Sequence, residues 1–135
     1  MKRHEEARRL LELANKDLKA LCGMATDSET FADEVFGFHA QQAVEKIIKA
    51  WLTRHDLCYP KTHDLQVLFA SLKEAGVVIP SRFDELTDLV DFAVQYRYES
   101  FDEDLSIDRR KVLKDVTGFM VLARSKILKR RNRRV

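Results

Sequence analysis

Apolar residues recur along this chain at intervals of three and four, the spacing of one buried helical face. Ala7, Leu10, Leu11, Ala14, Leu18 and Leu21 mark a first helix from about Glu5 to Cys22, with Gly23 suited to the left-handed position just past its end. Phe36, Ala40, Ala43, Val44, Ile47, Ile48, Trp51 and Leu52 form the stripe of a second helix, from about Glu29 to Arg54. Phe31, Val35 and Phe38 widen that stripe at its front, which makes this helix the buried centre of the fold. The Ser, Thr and Asp side chains between Thr26 and Thr30 are its candidate caps.

A third helix opens after Tyr59-Pro60-Lys61 with Thr62 as the expected cap, buries Leu65, Leu68, Phe69 and Leu72, and stops at Gly76. Val77-Val78-Ile79 is too short for a useful strand and reads as a packed connector. Pro80-Ser81 starts a fourth helix, with Ser81 as cap, Asp84 and Glu85 in its first turn, and a stripe of Phe83, Leu86, Val90 and Ala93 that runs on to Arg97. The fifth begins near Ser106 and buries Val112, Val116, Phe119, Met120, Ala123 and Ile127. Gly118 in its middle costs about 1 kcal/mol relative to Ala, which a close helix–helix contact would explain. With connections of a few residues, and Tyr98–Leu105 the longest of them, the pattern predicts an all-α, single-domain antiparallel bundle of about five helices over residues 1–129.

Composition narrows the class. The chain has 135 residues, 45% hydrophobic and 34% charged, with 4 Gly and 2 Pro, which suits one helical domain and excludes disorder. No apolar run approaches the ~20 residues of a membrane span, and the first residues lack the apolar stretch of a signal peptide, so a cytoplasmic protein without membrane contact is expected. Cys22 and Cys58, outside any paired motif, argue against a disulfide scaffold. The net charge of +2 conceals an acidic body: eight acidic residues against two arginines lie between Arg82 and Asp104, whereas Lys126 to Val135 holds six basic residues and no acidic one. Residues 130–135 form a basic tail, read either as a solvated helix end or as a docking arm for RNA or an acidic partner.

Nucleotide loops of the G-x-G-x-x-G and Walker types are absent, since the glycines are scattered. His55-x-x-Cys58 with His63 is too loose a pattern for zinc, and neither a metal nor a cofactor is expected. Three polar clusters remain. On the second helix, Gln41, Glu45 and Lys49 stack at successive turns, with Gln42 and Lys46 in the row beside them. The simpler account is a solvated ridge holding a Glu45–Lys49 pair; the sharper is a polar strip that binds a ligand or a second subunit. Thr62-His63-Asp64-Leu65 serves helix initiation or, through free backbone N–H groups, a phosphate. Arg97 continues a core stripe, an expensive place for a charge, and lies between Tyr96 and Tyr98; an ion pair to Glu45 or Asp64, a cap on its own helix and a phosphate-binding role all account for it.

The ordered set Phe38-x-x-Gln41-Gln42-Ala43-x-Glu45-Lys46-x-x-Lys49-Ala50, Thr62-His63-Asp64-Leu65 and Arg97-Tyr98 resembles the HEPN family, the higher eukaryotes and prokaryotes nucleotide-binding domain, over almost the whole chain. The resemblance implies a four- to five-helix bundle that forms a homodimer and works beside a small nucleotidyltransferase in a toxin–antitoxin pair. It implies a nucleotide- or partner-binding cleft of Gln42, Glu45, Lys46, Lys49, His63, Asp64, Arg97 and Tyr98. Many relatives are metal-independent ribonucleases that use an Arg and a His separated by four to six residues. At those offsets from Arg97 this chain has Asp102, Glu103 and Asp104, and no His follows His63. Metal-free RNA cleavage needs a proton carrier near neutral pH. The expectation is therefore a non-catalytic domain that binds a nucleotide or a partner; the alternative is a ribonuclease in which His63 replaces the missing base for Arg97. A purely structural role for all three clusters is the third reading.

Overall fold

The computed structural model describes residues 2–89 and 107–128. Four α-helices and one 3₁₀ helix make up the described fold: α1 (Lys2–Met24), α2 (Asp33–Arg54), α3 (Leu65–Glu74), the 3₁₀ helix (Ser81–Leu89) and α4 (Arg109–Ile127). The apolar stripes of α1 and α2 face each other, and every position of the two main stripes, from Ala7 to Leu21 and from Phe36 to Leu52, is buried, whereas Phe38, expected to widen the second stripe, is only half-buried. Phe31 and Val35 pack on the rim of the core.

Polar contacts fix the directions of the helices. Arg3 pairs with Asp56 beyond the end of α2, while Asp17 pairs with Lys46 in its middle, so α1 runs antiparallel to α2. Arg109 at the start of α4 binds Asp33 at the start of α2, and Arg54 at the end of α2 donates to the Ile127 carbonyl at the end of α4. Helix α4 therefore runs alongside α2 in the same direction. Phe119 of α4 is the aromatic meeting point: its ring centroid lies 6.0 Å from Trp51, 5.5 Å from Phe69 and 5.4 Å from Phe83, which joins α2, α3 and the 3₁₀ helix in one core.

Helix ends differ from the sequence expectation in five places. Helix α1 passes through Gly23 because Met24 is buried and rewards another residue of helix. Asp27 accepts from the Thr30 N–H in a separate turn, and α2 starts at Asp33 without a side-chain cap. Asp64, not Thr62, caps α3 by accepting from Gln66 N–H, and the Thr62 hydroxyl instead accepts from Asp64 N–H. Ser81 is the first residue of a 3₁₀ helix whose buried side chains, Phe83, Leu86 and Leu89, recur at every third position, the period of that helix. Asp108 caps α4, which begins at Arg109 and not near Ser106. Val90, Ala93, Tyr96, Arg97, Tyr98, the Tyr98–Leu105 connection and the tail 130–135 lie outside the described residues.

Two turns set the path of the connection to the site. After α2, Asp56 adopts φ 61° and Leu57 N–H donates to Leu52 carbonyl, a Schellman closure with Asp where glycine is usual. After α3, Gly76 at φ 86° plays the same part, with Val77 N–H donating to Leu72 carbonyl. The connector that follows half-buries Val77 and Ile79 and leaves Val78 exposed.

Arg109 was not visible to periodicity. It is buried at the junction of α1, α2 and α4, where it binds Asp33, donates to the Met24 and Phe31 carbonyls and lies over the Phe36 ring. Lysine has no planar fork to serve those acceptors together. Arg109→Lys is expected to cost about 2 kcal/mol or more in a denaturant titration, because buried charge pairs lose most when one partner is misplaced. Gly118 behaves oppositely. An added Cβ meets the Phe83 ring at 3.4 Å, ordinary contact, so Gly118→Ala should gain roughly 0.5–1 kcal/mol of helix propensity and raise Tm by a few degrees.

Candidate functional site

Glu45 organises the polar face of α2. It is 4% exposed, on the helix at the centre of the core, and its two carboxylate oxygens receive donors from three residues. Gln41 Nε2 donates to Oε1 at 2.9 Å, Lys49 Nζ to Oε2 at 2.7 Å, and His63 Nδ1 lies 3.0 Å from Oε1 and 3.1 Å from Oε2. Gln41 and Lys49 reach Glu45 because they sit one turn before and one turn after it. His63 comes from the far side of the α2–α3 connection. The same connection is held at its backbone, since Gln41 Nε2 also donates to the His63 carbonyl at 2.9 Å. Gln42 completes the buried amide by donating to Gln41 Oε1 at 2.9 Å.

The row is thus no solvated ridge. Gln41 is fully buried and uses both sides of its amide, and the Lys49 side chain is only 15% exposed. Burial by itself would raise the Glu45 pKa. Hydrogen bonds from Lys49, then His63, then Gln41 outweigh it and hold the carboxyl below the usual glutamate value.

A carboxylate only accepts, so the His63 Nδ1 facing it carries the proton and donates. That fixes the ring and leaves Nε2 without a hydrogen bond among the described residues. The His63 side chain is 52% exposed, so this nitrogen is available to a ligand as acceptor when the ring is neutral and as donor when it is charged.

The eight residues named for the cleft separate into four sets. Gln42, Glu45, Lys49 and His63 are joined by hydrogen bonds. Asp64 is next to them but commits its side chain to capping α3. Lys46 turns to α1, where its ammonium binds Asp17 at 2.7 Å, beside His39 Nδ1 at 3.4 Å from the same carboxylate. Arg97 and Tyr98 lie outside the described residues. Sequence reasoning missed Asp17 because a lone acid on the polar side of α1 carries no local signal. Its partners are 22 and 29 residues away.

Among the described residues no group of three His, Cys, Asp or Glu side chains could hold a metal ion, and both cysteines are free and exposed. No helix of the described residues is long and apolar enough to cross a membrane.

The family model of the HEPN domain matches residues 5–126, and the chain belongs to that family. No curated protein and no solved structure gives a significant match. The match spans the helices that build the Glu45 network and the segment that delivers His63.

Glu45→Gln tests the electrostatic reading. It keeps the side-chain size but leaves the half-enclosed Lys49 without its counter-charge, at an expected cost of about 3 kcal/mol near neutral pH. In the wild type the lowered Glu45 pKa contributes stability that is complete above the ordinary glutamate value of about 4.3 and is lost as pH falls through the lower folded value. Denaturant midpoints measured from pH 7 down to acid should therefore show this acid-dependent component in the wild type and not in Glu45→Gln.

Proposed function

We propose that this HEPN domain is a non-catalytic module that binds a nucleotide at the face where Gln41, Lys49 and His63 gather on Glu45 and Gln42 bonds to Gln41, and that it partners a small nucleotidyltransferase in a toxin–antitoxin pair, as a homodimer. The observation that carries the reading is the half-exposed His63 ring held by a buried carboxylate. Such a ring presents one fixed nitrogen to a phosphate or base edge at no further cost in rotamer freedom. Gln42 is in the same hydrogen-bonded frame and is half-buried, so its position is set before any ligand arrives. Arg97 and Tyr98 belong to the proposed cleft as the charge and the ring that meet the phosphate and the base.

The same pair supports a second reading, the metal-independent ribonuclease. A histidine whose Nδ1–H is held by a carboxylate is oriented as a general base through Nε2. In that reading His63 is the base and Arg97 stabilises the phosphate charge. The Arg-x4-6-His spacing is absent, and Asp102, Glu103 and Asp104 occupy those positions, which favours binding over cleavage.

Purified wild type, Arg97→Ala and His63→Ala separate the two. Titration with a nucleoside triphosphate should show binding that His63→Ala and Arg97→Ala each weaken by about tenfold, and RNA incubated with wild type in EDTA should remain intact. Cleavage in EDTA that both substitutions abolish would replace the binding module with the ribonuclease. Equal nucleotide affinity in all three proteins would remove both residues from the site.

A further inference from the structure

A second recess, of about 580 Å³, lies between the start of α1 and the turn after α2. Its volume is that of a small-molecule site. Thr53 lines it and is 7% exposed, yet its hydroxyl has no hydrogen-bond partner among the described residues. Helical threonines commonly satisfy the hydroxyl on a carbonyl one turn back, and buried polar groups are nearly always paired. A hydroxyl without a partner, on a residue that lines a recess, is free to bond an incoming group.

The rest of the lining defines that partner. Tyr59 and Leu57 provide an aromatic and an apolar wall. The Tyr59 ring also carries the Lys49 ammonium, 5.2 Å from its centroid, which holds the ring against α2. Three cations, Lys2, Arg3 and Arg9, and two acids, Glu5 and Glu6, share the rim. Arg9 spends Nε and one terminal nitrogen on Glu6, and Arg3 meets Asp56 through Nε alone at 3.3 Å, so both keep free N–H donors. Lys2 has no ion pair among the described residues, and of the acids lining the recess Glu5 is the one without a cationic partner there.

We propose that this recess binds a small aromatic anion: its ring on Tyr59, an acceptor atom on the Thr53 hydroxyl, and its anionic group on Lys2 and Arg3. The residues named for it are not members of the Glu45 network, although Lys49 touches Tyr59 as well as Glu45, so this inference goes beyond the proposed function.

Titration of the isotope-labelled full chain with phenyl phosphate, followed by amide NMR shifts, tests it. Thr53, Leu57, Cys58 and Tyr59 are expected to shift with one saturable affinity, while phenol and inorganic phosphate each bind at least about tenfold more weakly. Thr53→Val keeps the shape and removes the hydroxyl, and should weaken phenyl phosphate by about five- to tenfold. Replacing Lys2 and Arg3, both on the surface, by alanine should weaken phenyl phosphate and leave phenol unchanged, a readout that does not depend on the core. Failure of phenyl phosphate to shift these amides, inorganic phosphate binding as tightly as phenyl phosphate, or unchanged affinity in both variants would each overturn the assignment. His63 does not line the recess, so phenyl phosphate is expected to shift the same amides in His63→Ala, even where that variant has lost nucleotide binding.

Discussion

A carboxylate can be withdrawn from water on an apolar helix only if every one of its strong acceptor positions is answered, and in this protein that requirement falls on Glu45. Two of its donors come from α2 itself, one turn on either side. The third has to arrive from elsewhere. His63 supplies it, and to do so the chain leaving α2 must travel back along the helix from His55 to the level of Gln41, about 20 Å at the helical rise, within eight residues. The segment opens with the Asp56 turn and closes with a second turn in which Thr62 N–H donates to the Pro60 carbonyl. His63 thereby ties the segment before α3 to the middle of α2, while Asp64 caps α3 and Leu65, Leu68 and Leu72 seat it in the core.

The opposite end of α2 has a counterpart of reversed sign. There a buried guanidinium, Arg109, collects Asp33 and two carbonyls released by the end of α1 and the turn after it. Arg54 then secures α4 at its far end through the Ile127 carbonyl. Apolar packing brings α1, α2 and α4 together without choosing a register along their axes. These directional contacts choose it, which is how α4 comes to lie parallel to α2 with Phe119 opposite Trp51.

What the sequence displays and what it conceals divides along the same physical line. Spacing reveals which face of a helix is buried, so the stripes of α1 and α2 were legible down to single residues. Spacing also placed Gln41, Glu45 and Lys49 in one row. It carried no information on whether that row met water or the α2–α3 connection, because the answer depends on His63, 18 residues beyond Glu45. Lys46 shows the same limit in reverse: it is adjacent to Glu45 in sequence but turned toward Asp17 on another helix. Helix ends were blurred where several capping side chains crowd together, as at Thr62 and Asp64, and the 3₁₀ helix was misread because residues three apart fit both helical periods at first. Arg109 left no trace, since its partner Asp33 is 76 residues away and a basic residue in a first turn looks like surface.

Lys49 shows why the polar side of α2 is better regarded as one unit than as a set of caps. Its ammonium answers the Glu45 carboxylate at 2.7 Å and lies over the Tyr59 ring at 5.2 Å, so a single cation spans the space between the network that orients His63 and the recess bounded by Thr53. The attraction to Glu45 is the stronger of the two, being a charge-assisted hydrogen bond largely shielded from water, whereas a cation over an aromatic face contributes about 0.5–2 kcal/mol. Lys49 is therefore positioned by Glu45, and Tyr59 is positioned by Lys49. The order runs from the buried acid outward. The contacts continue to an oriented histidine on one side and, on the other, to an aromatic ring beside a hydroxyl without a hydrogen-bond partner among the described residues.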